Sequence, residues 1–381
     1  MRLVHRASPW REMISARGEL ASDTLLAPLE SAFTALDSLS STATHAWQPH
    51  LVDALVRYDL PAWRIAQILS DHNDWLYRQA IAQSLAEMQA QGWGPPPVVC
   101  CILTLGSTAR HESLLGPDQD NAMIVADYPD ERHVEIDGYF QALGERFTRR
   151  LDEAGIPLCH GHVMARWPMW RKRANEWHEQ LRIWSGDRRV KRVQQTNILL
   201  DFSPVWGDAS LARQLWQSVV TLLPAANLFL DEMASLLDEL PVALDRLGRL
   251  RGRVDVDAPH DGAIDLKRQG LLPLVSAVRL LALMNHCSEV GTRERLTALG
   301  NLTGGLDLAQ ATTLRAGFDR LQHLVLDQQR YNLSRRQAAD GWVDITHLRE
   351  DERMLLKFDL QQIRRLVGIA QDRVRHGGLS R

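Results

Sequence analysis

The chain has 381 residues, enough for two or three domains that each bury a core of their own. With 45% hydrophobic residues, 24% charged residues and a formal net charge of -3, the composition is that of an ordinary globular protein, and the whole-chain charge gives no general grip on nucleic acid. No apolar run approaches the ~18 residues of a membrane span and "MRLVHRASPWREM" has no signal-peptide core, so the expectation is a cytoplasmic protein that does not enter a membrane.

Helical spacing dominates from about Leu25 to Gln91, with Leu51, Ala54, Leu55 and Tyr58 on one face. A further helix is expected after "SDHND", where Ser70, Asp71 and Asn73 are candidate caps. Its stripe is Tyr77, Ile81, Leu85 and Met88, and "GWGPPP" at Gly92 to Pro97 stops it. The texture then changes to short apolar segments: "VVCCILTL" from Val98, "NAMIVAD" from Asn121, "GHVMA" from Gly161 and "TNILLDFSPVW" from Thr196. Helical stretches such as Tyr139 to Ala154 lie between them, which predicts a mixed sheet with helices packed on it. After Asp208 strand signals vanish. Amphipathic helices follow through Leu271, Leu274, Val275 and Val278, through Leu314, Phe318, Leu321 and Val325, and through Leu356, Leu360, Ile363 and Val367. The reading is an α+β chain in three parts: a helical region over 1–94, a chemical domain over 95–208 and a helical bundle over 209–381.

The four cysteines, Cys100, Cys101, Cys159 and Cys287, have no zinc-knuckle spacing and read as reduced thiols. Cys159, His160 and His162 invite a metal reading because the two histidines would share a strand face. Without a partner motif, a strand carrying polar histidines is preferred. The Arg171 to Arg192 stretch is locally basic, and Trp167, Trp170, Trp177 and Trp184 read mostly as packing residues. The chain contains no Gly-x-Ser-x-Gly elbow, Walker loop or His-Glu-x-x-His helix.

Chemistry concentrates in "GSTARHESLLGPDQDNAMIVAD", Gly106 to Asp127. If Asp118 and Asp120 are alternate residues of a strand, their carboxylates leave one face together, and a hard divalent cation between them would relieve their repulsion. Gly106 and Ser107 end an apolar strand ahead of a polar helix, "TARHESLL", whose first backbone N–H groups would suit a phosphate. Asp201, after the apolar "TNILL", either faces solvent at a strand end or joins a buried metal centre as a third carboxylate. Arg110 is one turn after Ser107, within reach of phosphates, or it braces the helix through Glu112. Lys267 and Arg268 either meet a triphosphate or acceptor or form a solvated helix end.

The pattern G-S-x-x-R-x-E followed by D-Q-D-N-A resembles nucleotidyltransferases of the DNA polymerase beta-like superfamily. It is closest in kind to a bacterial signal-transduction group related to the PII-protein uridylyltransferase and the glutamine synthetase adenylyltransferase. "ILSDHNDWLYRQ", "CHGHVMARWPMWR", "EWHEQLRIW", "ILLDFSPVWGDASLA" and "IDLKRQGLLPLVSAVRLLAL" are similar to family segments in family order, so the resemblance covers roughly residues 50 to 375. It implies a nucleotidyltransferase domain over 95–208 and a substrate-binding helical domain over 209–381. Asp118, Asp120 and Asp201 would be catalytic metal ligands, Gly106, Ser107, Arg110 and Lys267 nucleotide contacts, and Glu112 and Asn121 supporting residues. The implied reaction moves a nucleoside monophosphate from an NTP to an acceptor hydroxyl, with Mg²⁺ or Mn²⁺, on a protein acceptor in signal transduction. Departures are Ala109 for glycine, Ser113 for glutamine, Trp167 for asparagine and Ser203 for arginine, and the last two leave the acceptor and the triphosphate contacts open. Two alternatives stand beside this reading: a catalytically silent nucleotide-sensing or protein-binding module, and transfer to a small molecule. The enzyme reading needs the three carboxylates to converge beside the Gly-Ser bend, and an arginine or lysine filling that gap would count against it.

Overall fold

Two apolar runs flanked by glycines and polar turns become the two central strands. In the computed structural model, which describes residues 47–186, 197–251, 259 and 262–377, β1 is Cys100–Leu105 and β2 is Asn121–Val125, and every residue of both is buried. Strands covered on both faces need no polar alternation, which is why both read as unbroken apolar runs. β3, Arg171–Arg173, and β4, Phe202–Gly207, complete a four-stranded sheet in the order β3-β2-β1-β4. β1 runs antiparallel to β2 and β4, while β2 and β3 are parallel, so the sheet is mixed.

Helices cover one face of this sheet. α1 is Gln48–Arg57 and α2 is Ala62–Ala90; α3, His133–Glu153, carries the expected Tyr139 stretch. Leu76, Tyr77, Ile81 and Met88 of α2 and Phe140, Leu143 and Phe147 of α3 pack on Ile102, Met123, Val125 and Val205, alternate residues of their strands. Each large side chain fully buried here contributes about 1.5–3 kcal/mol. The cap expected at "SDHND" does not form. α2 runs straight through it, and Ser70, Asp71 and Asn73 are buried in its interior. The "GWGPPP" stop does hold, with Gly92 and Gly94 at positive φ just past Ala90.

Three strand expectations change. "GHVMA" is a loop: Val163 O accepts from Asn121 N at 3.0 Å, but no strand forms there. Asn197–Leu199 is helical, so Asp201 precedes a strand at Phe202 instead of following one. Asp118 and Asp120 likewise lie just ahead of β2. The helical reading before residue 47, the basic stretch beyond residue 186 and Thr196 lie outside the described residues.

Contacts divide the chain into two units, 1–179 with 201–216, and 180–200 with 217–381. The second is helical, with α4, Ala174–Gly186, and α5, Ala209–Leu222, belonging in part to each. α6, Asn227–Leu236, α7, Leu272–Met284, α8, Thr292–Asn301, α9, Leu308–Ser334, and α10, Glu350–Gly377, follow. Leu314, Phe318, Leu321 and Val325 are buried on α9, as are Leu356, Leu360 and Ile363 on α10. A bidentate pair from Arg320 to Asp359, at 2.7 and 2.6 Å, ties α9 to α10. Strand signals do not wholly vanish after Asp208: Ala263–Asp265 and Trp342–Asp344 form a small antiparallel sheet. Among the described residues no single helix is long and apolar enough to cross a membrane.

Gly207 ends β4 with φ at 88°, and a Cβ there would stand 2.1 Å from the Cys100 carbonyl oxygen. Gly207→Ala is therefore expected to cost about 2 kcal/mol or more, read as a fall in the urea midpoint. Gly138, in α3 with open space around it, is the control. Gly138→Ala is expected to gain up to about 1 kcal/mol from helix propensity.

Candidate functional site

The D-Q-D segment is held by its middle residue. Gln119 is fully buried; its Nε2 donates to the Thr148 and Ile156 carbonyls, both at 2.8 Å, and its backbone N–H donates to Pro157 O at 2.9 Å. With Gln119 anchored inward, Asp118 and Asp120 on either side of it bring their carboxylate oxygens within 4.8 Å of each other. Asp118 is exposed and Asp120 half-buried. Asn121 then locks the start of β2: its Oδ1 accepts from Ala165 N at 2.8 Å and its Nδ2 donates to the Tyr77 hydroxyl at 3.3 Å. Burial, with the charges of Asp120, Asp74 and Asp118, pushes the Tyr77 phenol above its ordinary range, so it stays protonated.

Asp120 and Asp201 straddle the end of β1. Leu105 N donates to the Asp120 carbonyl at 2.9 Å, and Gly106 N to the Asp201 carbonyl at 3.0 Å. Gly106 has φ at 59°, and a Cβ on it would lie 3.3 Å from Oδ2 of Asp120, so the bend passes close beneath that carboxylate. The polar helix expected after it is a single turn, Gly106–Ala109, too short to present a helix N-terminus, and the Gly106 N–H is already used. Ser107 Oγ instead lies 3.3 Å from Ser113 Oγ, which is 3.0 Å from Thr108 Oγ1.

Carboxylate oxygens of Asp118 and Asp120 lie within 4.8 Å of each other and of a third donor, the Cys159 sulfur. Two carboxylates and a thiol at this spacing are a donor set that fits a divalent ion. Burial first, and then the Asp120 charge, push the Cys159 thiol up to about 12, and it hydrogen-bonds with Asp120. The metal reading weighed for Cys159 with His160 and His162 was set aside in the sequence, and its grouping with the aspartates was not read there because it stands 39 residues beyond Asp120. His160 and His162 are exposed in that loop and outside the cluster.

The fully buried Asp201 is not in that group. Its Oδ2 accepts from Arg110 Nη1 at 2.5 Å, while Arg110 Nε donates to Glu112 at 2.6 Å. The bracing role weighed for Arg110 and Glu112 is thus present, extended to Asp201. Burial opposes the Arg110 charge, yet Glu112 and Asp201 outweigh it and hold the guanidinium above its ordinary pKa. A second cluster, Asp71, Asp74 and His111, also brings ligand atoms within 4.8 Å of one another, with Arg78 Nη2 3.6 Å from Asp74. Lys267 is exposed in the second unit, where Lys267–Leu271 forms a π-helical turn.

Removing the Arg110 charge would leave a buried carboxylate with less compensation. Arg110→Met is expected to destabilise by about 3–5 kcal/mol in urea unfolding, and Arg110→Met with Asp201→Asn by clearly less than the sum of the two single changes.

Residues 46–191 match the model of a family described as putative nucleotidyltransferase DUF294. Residues 227–374 match one described as putative nucleotidyltransferase substrate binding domain, and the two matches together take in about three quarters of the chain. A comparison with curated proteins finds no match. Over these two stretches, in this order, the chain is similar to the family described as putative nucleotidyltransferase DUF294 and to the family described as its substrate binding domain.

Proposed function

We propose that the chain is a metal-dependent nucleotidyltransferase that moves a nucleoside monophosphate from an NTP to an acceptor hydroxyl, with pyrophosphate leaving. The observation that carries this is the pairing of the Asp118 and Asp120 carboxylates, with Asp120 next to the side-chain-free Gly106 bend. Mg²⁺ or Mn²⁺ bound there supplies neutralising charge for the α-phosphate and the leaving group, and acidifies the acceptor hydroxyl. Asp118 and Asp120 hold the ion, and Gly106 and Ser107 let the phosphates approach. Glu112 and Asn121 keep Arg110 and the β2 start in place. The new acceptor oxygen–phosphorus bond forms as the α–β phosphoanhydride bond breaks, and pyrophosphate departs with the electron pair. Asp201 receives the acceptor's proton once Arg110 has exchanged it for triphosphate oxygens, a shift that guanidinium geometry allows.

A protein acceptor in a regulatory pathway, adenylyl or uridylyl transfer, a cytoplasmic setting and a nucleotide contact from Lys267 belong to this proposal. They are supported by the resemblance of the segments to a bacterial signal-transduction group of nucleotidyltransferases. A second reading, a silent nucleotide-sensing module, is favoured by one observation: Arg110 holds Asp201, the residue that turnover needs.

Incubating the protein with each NTP labelled at the α-phosphate, a divalent ion and host lysate separates the two readings. Label is expected on a discrete acceptor, and Asp118→Ala with Asp120→Ala is expected to lower it on the order of 100-fold or more. Asp201→Asn is expected to lose transfer to a similar degree while retaining NTP binding. Tight NTP binding by the unaltered protein with no pyrophosphate from any acceptor would establish the sensor instead.

A further inference from the structure

We infer that Cys159 is a ligand of the ion held by Asp118 and Asp120, and that its sulfur makes the site prefer a softer divalent ion such as Mn²⁺ or Co²⁺ over Mg²⁺. This rests on the ion site of the nucleotidyl-transfer reading and adds a residue to it. Two separate features point the same way. The sulfur lies within 4.8 Å of both carboxylates, the spacing at which three donors share one ion. The loop that carries it also packs its backbone against the sulfur: a Cβ on Gly161 would lie 3.5 Å from Cys159 Sγ. Cys159 O accepts from His162 N at 3.1 Å and His162 takes φ 59°, closing a tight turn. Such surrounding contacts orient a ligand. Cys159 is buried while Asp118 is exposed, so water can complete the coordination from the Asp118 side.

Binding replaces the thiol hydrogen with the ion, and the proton passes to solvent. Mg²⁺ takes oxygen donors and gains little from sulfur, whereas Mn²⁺ and Co²⁺ stand higher in affinity and tolerate thiolate. Asp201, engaged by Arg110, is not part of this donor set.

The test uses the full chain titrated with Co²⁺, Mn²⁺ and Mg²⁺ without nucleotide. Co²⁺ is expected to give an intense near-ultraviolet sulfur-to-metal charge-transfer band, absent in Cys159→Ser. The Mn²⁺-over-Mg²⁺ preference is expected to fall in that variant on the order of ten-fold or more. Reading the band in the unaltered protein keeps the test valid even if the variant folds poorly. Co²⁺ that binds, is displaced by Mg²⁺ and shows no such band would overturn the inference while leaving an oxygen-only ion site and the transfer reading in place. If none of the three ions bound the unaltered protein, both would fall.

Discussion

Everything at the candidate site follows from placing acidic groups at one edge of a buried sheet. The Asp120 and Asp201 carbonyls flank the end of β1 through ladder-like hydrogen bonds, which brings two aspartates to the rim of a core that excludes water. Buried carboxylates demand compensation. On one side Arg110 supplies it, and on the other Asp118, Asp120 and Cys159 leave a cluster of donors suited to a cation.

The surrounding architecture serves this edge. β1 and β2 are buried on both faces, so their ends are fixed by packing on α2 and α3 and have little freedom to drift. Gln119 and Asn121 spend their amides on the backbone of neighbouring segments, which makes the direction of the adjoining carboxylates a property of the core. Donors held in this way cost little reorganisation when charge arrives, the condition under which electrostatic stabilisation is most effective.

The Arg110–Asp201 pair gives the site two readings with one chemistry. As a resting contact it keeps a buried carboxylate neutralised until phosphate offers the guanidinium a better partner. As a permanent brace it would leave a nucleotide-binding surface without turnover. Which applies depends on the relative strength of two charge-assisted contacts, and both draw on the same planar guanidinium.

Much of the fold was legible in the chain itself. Unbroken apolar runs marked β1 and β2, three-and-four spacing marked α3, α9 and α10, and the glycines and prolines after Gln91 marked the end of α2, because these signals arise from periodicity and backbone sterics. The D-Q-D pair and the Gly-Ser bend were visible as chemistry for the same local reason. Only the tertiary structure decided the rest. Ser70 and Asp71 became helix interior because the fold buries them, "GHVMA" became a loop because Asn121 captures its backbone, and Cys159 joined the aspartates across 39 residues. Asp201 met Arg110 across 91 residues. Contacts between distant segments leave no periodic trace, since burial and charge pairing are settled by which surfaces the folded chain brings together.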